Sequence, residues 1–337
     1  MKIAVVILNW NGRDYLRRYL PAVLSHSGDA EIIVADNASS DDSLGVLSRE
    51  FPRVRQILNA KNLGFAGGYN EALKHVEADY FILLNSDVEV TPGWIDAPVK
   101  MMERDPAIAA CQPKILSAAD RGYFEYAGAA GGFIDRYGYP FCRGRIFDSI
   151  EKDSGQYDDA RRVFWASGAC MFLRAAAFRD VGGFDDAFFA HMEEIDLCWR
   201  LQKAGGTVWY CPNSTVYHVG GGTLHKSNPH KTFLNFRNNL MMLYKNLPRA
   251  AFGKVYRVRF FLDILAAIKF TLSTFRAGDL RAVIRAYAAF RVWKKKLPDN
   301  SFPGSPENDP AQPVIYPFSI VKAYYLQGKK TFSNLGF

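Results

Sequence analysis

The chain has 337 residues, of which 49% are hydrophobic and 23% are charged, and its formal net charge is +8 at pH 7. This composition argues against disorder and predicts one large globular domain with a smaller appendage. The five cysteines are widely spaced and form no CxxC pair, which disfavours a zinc site and a disulfide framework and predicts buried thiols in a reducing compartment. The first apolar run is too short for a signal peptide, so we expect a cytoplasmic protein.

The first ninety residues alternate between apolar runs and amphipathic segments. The apolar runs predict buried strands at residues 3–8, 31–35, 54–58 and 80–84. The segments between them predict helices at residues 15–24, 42–50 and 67–76. A repeated strand–helix–strand order predicts an α/β fold with a mostly parallel central sheet flanked by helices.

Beyond residue 92 the pattern is less regular. A Gly- and aromatic-rich stretch over 122–147 precedes predicted strands at 164–174 and near 208 and 216, with a helix at 195–204 between them. Residues 233–296 predict helices, and a tail with six prolines follows, at Pro298, Pro303, Pro306, Pro310, Pro313 and Pro317. We therefore divide the chain into a catalytic domain over 1–235, a helical extension over 236–297 and a tail over 298–337.

Two predicted strands end in acidic residues. The run at 81–84 stops at Asn85, Ser86 and Asp87, and the run at 31–35 stops at Asp36. Because open α/β sheets bind ligands at the carboxyl ends of their strands, Asp87 is a candidate metal ligand and Asp36 a candidate for contacting a base or ribose. The alternative for Asp36 is a simple turn before the next helix. The first strand is followed by no GxGxxG sequence, which disfavours a dinucleotide fold.

The segment NLGFAGGYN, residues 62–70, is rich in glycine. Its glycines could let backbone amides approach a ligand closely before a helix begins. A plain tight turn is the alternative, and the position before the Asp87 strand favours the ligand-binding interpretation.

Three acids, Glu193, Glu194 and Asp196, begin a predicted helix among aromatic residues. Acids favour a helix amino terminus, and Asp196 with Arg200 has the spacing of a surface ion pair, so a structural role is one interpretation. An apolar setting also raises the pKa of a carboxyl group toward the range of a general base. His218, which follows a short strand and precedes a glycine run, is either structural or a nitrogen ligand for a metal.

The order NWNG, ADNASSDDS, NLGFAGGYN, LLNSDVEV, ASGACMFLRAAAFRDVGGFDDAFF, EEIDLCWR and VYHVGG resembles the family-2 glycosyltransferases with the GT-A fold, especially their bacterial rhamnosyltransferase-like branch. The resemblance covers roughly residues 1 to 240. It implies a nucleotide-sugar site formed by Asn9, Asn11, Asp36, Asn62, Gly67, Asn70, Asn85 and Ser86. It also implies a sugar and acceptor pocket shaped by Trp165, Ser167 and Gly168.

The resemblance also implies a metal and a base. Asp87 matches the last position of the family's DxD metal motif, in which Asn85 replaces the first Asp, and His218 matches a histidine that joins the metal or the diphosphate. The cation would be Mg²⁺ or Mn²⁺. The family's Glu-Asp pair is here Glu193 and Glu194, so the resemblance assigns the role of base to Glu194, with Glu193 beside it.

The implied function is that of an inverting glycosyltransferase of cell-surface polysaccharide synthesis. It would move a sugar, with rhamnose suggested by the resemblance, from a nucleotide-diphosphate donor to a glycan or a lipid-linked glycan. The alternatives are a non-catalytic nucleotide-sugar-binding protein and a sugar nucleotidyltransferase. The sequence leaves open the donor base, the acceptor and the oligomeric state.

The helical extension is basic and apolar. Between Arg249 and Lys296 there are 12 basic residues and two acids, Asp263 and Asp279. The run 260–275 is interrupted by Asp263 and Lys269 and is shorter than the roughly 20 residues of a membrane-spanning helix. Two interpretations stay open: an ordinary helical subdomain, and helices that lie on an anionic membrane at the inner face of the plasma membrane. Nucleic-acid binding is disfavoured because no recognised motif accompanies the charge.

Overall fold

The computed structural model describes residues 1–220, 228–274, 278–297 and 314–337. Its strands are β1 Ile3–Asn9, β2 Glu31–Asp36, β3 Arg55–Leu58, β4 Tyr80–Asn85, β5 Val88–Val90, β6 Ile108–Ser117, β7 Gly132–Asp135, β8 Pro140–Cys142, β9 Arg145–Ile146, β10 Ser149–Ile150, β11 Arg161–Arg162, β12 Cys170–Arg174, β13 Thr207–His218 and β14 Ile315–Tyr316. Its α-helices are α1 Arg13–His26, α2 Ser43–Glu50, α3 Gly64–Leu73, α4 Asp96–Arg104, α5 Ala175–Asp180, α6 Glu193–Lys203, α7 Pro229–Asn246, α8 Arg249–Thr274, α9 Gly278–Lys295 and α10 Ile320–Tyr325.

The central sheet has the strand order β11-β13-β6-β12-β4-β1-β2-β3, with β5 paired to β13. Parallel pairing joins β3, β2, β1 and β4, and it also joins β6 to β13. β12 runs antiparallel between β4 and β6, so β6 and β13 point in the same direction as β4. The α/β class with a central sheet flanked by helices is confirmed, and the half of the sheet beyond β4 is mixed.

The predicted strands and helices of the first ninety residues are confirmed to within a few residues at their ends. The central strands are buried on both faces, which is why they appear in the sequence as nearly continuous apolar runs. One face of the sheet packs against α1 through residues such as Leu16 and Leu20, and the other packs against α3 through residues such as Ala66 and Tyr69.

The second half differs more from the sequence prediction. The strand predicted over 164–174 begins only at Cys170, because residues 165–169 lead into it as a loop. The two short strands predicted near 208 and 216 are one strand, β13, whose pairing with β6 shifts register between Cys211 and Thr215. The alternation of apolar and polar residues is interrupted at such an irregularity, so the sequence predicts two short strands in place of one.

A second, smaller sheet has the order β10-β9-β8-β7-β14. Its last strand comes from the carboxyl-terminal segment, for which the sequence predicted a proline-rich tail. Residues 314–337 fold onto the catalytic domain: β14 pairs with β7, the Ile320 amide donates to Asp135, and the Phe332 amide donates to Glu151. Of the six tail prolines, Pro317 is within the described residues and the other five lie outside them.

The predicted helical extension over 236–297 contains the greater part of α7 and all of α8 and α9, which pack on one another and, through α7, on α6. Asp263 interrupts the apolar sequence of α8 because it faces inward, where it is buried and accepts hydrogen bonds from Tyr139, Tyr287 and Arg259. In the described part of the chain, no helix combines the length and the apolarity that crossing a bilayer requires.

Candidate active site

The candidate site lies at the carboxyl edge, which we define as the edge of the central sheet where β1, β2, β4 and β13 end. Asn9 and Asp36 are paired residues at the ends of β1 and β2. Asp36 is buried and accepts hydrogen bonds from the Asn9 side-chain amide at 3.0 Å and from the Ser39 amide and hydroxyl at 2.8 and 2.7 Å. Asp36 is thus a preorganised carboxylate rather than only the start of a turn.

Asn11 and Ser86 lie beside this pair. The Asn11 side-chain oxygen accepts hydrogen bonds from the amides of Ser40 and Asp41, so Asn11 ties the loop after β1 to the loop after β2. A Cβ atom on Gly12 would lie 2.4 Å from Asn9 Oδ1 and 3.1 Å from Ser86 Oγ. Asn9 Oδ1 is buried without a hydrogen-bond partner, so this corner of the carboxyl edge retains a free acceptor.

Asp87 and His218 meet through local strand pairing. β5 begins directly after Asp87 and pairs antiparallel with β13, with Val88 opposite His218, and the Val219 amide donates to the Asp87 carbonyl. His218 Nε2 consequently lies 3.2 Å from Asp87 Oδ1, and both side chains are buried. The structure therefore brings together the two residues that the sequence offered as metal ligands.

Glu125 completes this group, and sequence reasoning missed it. Its Oε2 atom lies 3.3 Å from His218 Nδ1, on the side of the ring away from Asp87, and its side chain is buried. Burial alone would lower the pKa of His218, but the hydrogen bonds and charges of Asp87 and Glu125 raise it to about 10. Glu125 is an isolated acid in a Gly- and aromatic-rich stretch, and no sequence pattern distinguishes it.

The glycines of the 62–70 segment serve packing, which differs from the sequence interpretation. Helix α3 already begins at Gly64, and the amides of Phe65 and Ala66 at its start donate to the Phe189 carbonyl, so they are not open to a ligand. A Cβ atom on Gly67 would lie 3.0 Å from Leu63 Cβ, and one on Gly68 would lie 2.9 Å from a Leu8 methyl group. Gly68 therefore permits the close approach of α3 to β1, and Gly67 lies against the residue that precedes α3.

The two asparagines of that segment have structural hydrogen bonds. Asn62 Oδ1 accepts hydrogen bonds from the Gly64 amide and from the side-chain amide of Asn37. Asn37 is buried, and sequence reasoning missed it. The Asn70 side chain bonds to Phe184 and Asp186. The structure thus does not bring Asn70 together with Asp36 and Asp87, and Asn70 instead anchors the segment that leads to α6.

The side chains of Trp165 and Ser167 are directed into the protein. The Trp165 indole donates to the Phe133 carbonyl, and the Ser167 hydroxyl donates to the Ala127 carbonyl. Gly168 packs under the ring of Phe65, where a Cβ atom would lie 2.8 Å from Cζ. These residues shape the wall between β6 and α3, and their polar atoms are already occupied by the backbone.

Glu193 and Glu194 follow a strained loop. Phe189, His191 and Met192 all have positive φ angles, of 64°, 70° and 74°. Such angles are costly for residues other than glycine and persist only where the surroundings enforce them. The side-chain amide of Asn238 on α7 enforces them here by donating to the carbonyls of Phe188, Ala190 and His191.

The two glutamates have free carboxyl oxygens in a buried setting. Oε2 of each is buried without a hydrogen-bond partner. Burial raises the pKa of Glu194 to about 7, although backbone amides at the helix start oppose the change. Burial and the neighbouring Glu194 raise the pKa of Glu193 well above its usual range. A carboxyl group with a pKa near 7 suits a general base at neutral pH.

Asp196 is structural, and its ion pair is not on the surface. It is buried and accepts hydrogen bonds from Arg200 at 2.7 Å, from Lys245 at 2.9 Å and from Asn246 at 2.8 Å. The cations lower the pKa of Asp196 against the effect of burial. This cluster fixes α6 to α7 and holds the amino end of α6 in place.

The glutamates and Asp87 belong to the same edge of the sheet. α6 precedes β13, which ends at the carboxyl edge, so α6 begins at that edge. Residues 166–169 join the two halves, because the Ala166 amide donates to the Cys198 sulfur on α6 and the Ala169 carbonyl accepts from the Asn85 amide. A separate cavity of about 950 Å³, lined by residues that include Met1, Lys2 and Asp79, lies at the opposite edge.

Comparison with known proteins identifies the family. The family model "Glycosyl transferase family 2" matches residues 4–182. The chain belongs to glycosyl transferase family 2. It is therefore a glycosyltransferase, and the family that its motifs resembled is confirmed.

Its relatives include two rhamnosyltransferases. An N-acetylglucosaminyl-diphospho-decaprenol L-rhamnosyltransferase of Mycobacterium tuberculosis is 29% identical over 233 residues, which are 64% of this chain and 75% of that protein. Rhamnosyltransferase WbbL of Escherichia coli is 24% identical over 254 residues, which are 73% of this chain and 93% of that protein. The resemblance to the rhamnosyltransferase-like branch is thereby confirmed.

Solved structures share the fold. GalNAc-T7 with UDP, GalNAc and Mn²⁺ aligns with a TM-score of 0.58 at 15% identity, over 88% of this chain and 56% of that chain. The mannosyltransferase PcManGT of Pyrobaculum calidifontis, in complex with GDP-Man and Mn²⁺, aligns with a TM-score of 0.51 at 13% identity, over 88% and 76%. At these identities the likeness establishes the GT-A fold of this glycosyltransferase.

Proposed function

We propose that this glycosyltransferase moves a sugar from a nucleotide-diphosphate donor to an acceptor hydroxyl with inversion at the anomeric carbon. Asp87 and His218 hold a divalent cation, and Glu194 is the general base. One observation carries the proposal: the carboxyl edge has a carboxylate–imidazole pair 3.2 Å apart and, at the start of α6, the partly buried Glu194, whose Oε2 atom is buried without a hydrogen-bond partner.

The donor lies along the ends of β1, β2 and β4. Asp36 accepts hydrogen bonds from the base or ribose, and Asn9, Asn11 and Ser86 line the same corner. We propose rhamnose as the sugar and a lipid-linked glycan as the acceptor, in cell-surface polysaccharide synthesis at the cytoplasmic side of the membrane. The names of both rhamnosyltransferase relatives support rhamnose as the sugar, and the decaprenol-linked sugar in the name of the Mycobacterium tuberculosis enzyme supports a lipid-linked acceptor.

The residues at the metal position suit Mg²⁺ or Mn²⁺. Asp87 Oδ1 and His218 Nε2 lie 3.2 Å apart, so both could bind one divalent cation. Among the described residues, no cluster of three or more His, Cys, Asp or Glu side chains could enclose an ion. Two protein ligands leave positions for diphosphate oxygens and water, as expected where Asn85 replaces an aspartate.

Each residue then has a defined task. Glu125 Oε2, 3.3 Å from His218 Nδ1, would favour the form of the ring that keeps its proton on Nδ1, so that Nε2 could release its proton and bind the cation beside Asp87. The bound cation supplies Lewis-acid stabilisation of the leaving diphosphate. Glu194 accepts the proton of the acceptor hydroxyl as that oxygen attacks the anomeric carbon from the face opposite the diphosphate. The transfer is a single displacement and has no glycosyl-enzyme intermediate.

The choice between the two glutamates depends on their pKa values. A base must be ionised at working pH, and the pKa of Glu194 is raised only to about 7. Glu193 is buried, and burial together with the neighbouring Glu194 raises the pKa of Glu193 well above its usual range, which makes Glu193 the less suitable base.

The test is transfer from a panel of nucleotide sugars in the presence of Mn²⁺ or Mg²⁺. Thermal-shift screening selects the donor, since a ligand at 100 times its dissociation constant stabilises a protein by about 2.7 kcal/mol. We expect nucleoside diphosphate release and a product of inverted configuration by NMR. A retained configuration, or full activity in excess chelator, would contradict the mechanism.

Two other functions predict different products. A sugar nucleotidyltransferase would release pyrophosphate, and a non-catalytic binding protein would bind the donor without transferring sugar to any acceptor. Family membership favours transfer over both.

A further inference from the structure

The exposed side of the helical extension carries an apolar stripe. On α8 the side chains of Phe261, Leu265, Ile268 and Leu272 are exposed by 68, 62, 43 and 67% and follow the i, i+4, i+7, i+11 spacing of one helix face. We call these four residues the apolar stripe. Isolated exposed apolar residues are ordinary, but a continuous row of four large ones marks a surface that contacts something apolar.

Basic residues accompany the stripe. The neighbouring helix α9 packs on α8 and exposes Arg281, Arg285, Arg291, Lys294 and Lys295, which we call the basic face. Of the extension's two acids, Asp263 is buried against Arg259, so at most Asp279 offsets one of the five cations of the basic face. The surface is therefore apolar and cationic.

We propose that the apolar stripe and the basic face dock this enzyme on the surface of an anionic lipid bilayer. Large apolar side chains next to Lys and Arg characterise helices that lie in the headgroup region. A second copy of this chain is the less suitable occupant, because a two-fold contact through this surface would bring two basic faces together.

The position of the surface fits a lipid-linked acceptor. The Thr232 hydroxyl on α7 donates to Asp279 at the start of α9, and the Arg285 guanidinium lies over the Phe233 ring on α7. The same helix α7 holds the loop before Glu193 through Asn238. A single helix thus separates the docking surface from the glutamates, and this part of the argument rests on the proposed function.

Co-sedimentation of the full chain with vesicles tests the proposal. We expect binding to vesicles that contain about 30% phosphatidylglycerol at low salt, weaker binding to pure phosphatidylcholine, and release in about 0.5 M salt, where charges are screened within about 4 Å. Leu265→Glu/Leu272→Glu should weaken binding at least tenfold. Arg281→Glu/Lys295→Glu should weaken it at least about 20-fold, because each basic residue near an anionic surface contributes about fivefold.

Matched controls lie on other faces. Leu24→Glu on α1 and Arg53→Glu before β3 make the same chemical changes at exposed positions away from the extension and should bind as the wild type does. The idea is overturned if the wild type does not bind anionic vesicles. It is equally overturned if light scattering shows a dimer that Leu265→Glu/Leu272→Glu converts to a monomer without affecting vesicle binding.

Donor binding measured on the same samples separates this proposal from the proposed function. The stripe and basic-face variants should bind nucleotide sugar with wild-type affinity. Vesicle binding without any sugar transfer would contradict the proposed function alone, and transfer without vesicle binding would contradict the docking surface alone.

Discussion

The two halves of the site differ in how their charged groups are satisfied. On the proposed donor side, Asp36 accepts hydrogen bonds from Asn9 and Ser39, and His218 lies between Asp87 and Glu125. On the proposed acceptor side, Glu193 and Glu194 each keep a buried carboxyl oxygen without a partner. The donor side is preorganised before any ligand binds, and the acceptor side is not.

The difference shows what each half is built to do. A partnered carboxylate holds a fixed position, as a residue that orients a nucleotide or a cation must. An unpartnered buried carboxyl group costs about 1–3 kcal/mol, and the fold retains it through the strained loop at Phe189–Met192 and the Asp196 cluster. We infer that the burial which causes this cost also raises the pKa of Glu194 into the neutral range.

The largest expected effect comes from the glutamate pair. Glu194→Gln should lower kcat by about 10²- to 10⁴-fold with little change in donor affinity, because it removes the proton acceptor and keeps the shape. Glu193→Gln is the matched control and should retain activity within about tenfold. If the two variants exchange these outcomes, the base has been assigned to the wrong neighbour.

A somewhat smaller effect is expected at the metal position. Asp87→Asn removes one of two protein ligands and should weaken Mn²⁺ binding at least about 100-fold, measured by calorimetry in the presence of nucleoside diphosphate. Asp42→Asn, the same change at a half-exposed position before α2, should leave Mn²⁺ affinity within about threefold. Undiminished Mn²⁺ binding in Asp87→Asn would remove the cation from this position.

Glu125 should have an intermediate effect through His218. Partners that orient a metal-ligating histidine are typically worth 10- to 100-fold in metal affinity, so we expect Glu125→Gln to fall in that range. In a His218→Gln background, Glu125→Gln should add little further loss if Glu125 acts through the ring. Additive losses in the double variant would show that Glu125 has an independent role.

The smallest expected effect is on the free energy of unfolding, and its sign differs between variants of Glu194 and variants of Asp36. The pKa of Glu194 is raised to about 7, so its contribution to stability is complete below pH 4.5 and is lost as the pH rises through 7. In urea unfolding at pH 8, Glu194→Gln should therefore be more stable than wild type by about 1–3 kcal/mol, and the gain should vanish at pH 4. Asp36→Asn should be less stable by about 1–3 kcal/mol. A loss of stability in both Glu194→Gln and Asp36→Asn would contradict the proposed difference between the two halves of the site.

The strand ends could be predicted from the sequence because they depend on local patterns. Asp36 and Asp87 stand where buried apolar runs stop, and the parallel order of these strands follows from the helices between them. The sequence also predicts that Glu193 and Glu194 lie at the start of a helix, because the helix is indicated by the local pattern of apolar residues.

Long-range pairing could not be predicted in this way. Glu125 reaches His218 only because β6 and β13 are neighbours, and the intervening chain of more than 90 residues carries no signal of that contact. The glycine-rich segment 62–70 predicts a ligand-binding loop because such a loop and a close helix–strand contact, which Gly68 makes, have the same composition. Asp263 interrupts an apolar run, and only the fold shows that it faces inward.

The most direct test of the central claim is the pH dependence of kcat with saturating donor. If the carboxyl group of Glu194 is the base, kcat should fall tenfold per pH unit below an apparent pKa near 7, because the protonated base cannot accept a proton. In Glu194→Gln the residual rate should be independent of pH across that range. If kcat fell in the same way below pH 7 in the wild type and in Glu194→Gln, Glu194 would not be the base, because another group would then be titrating.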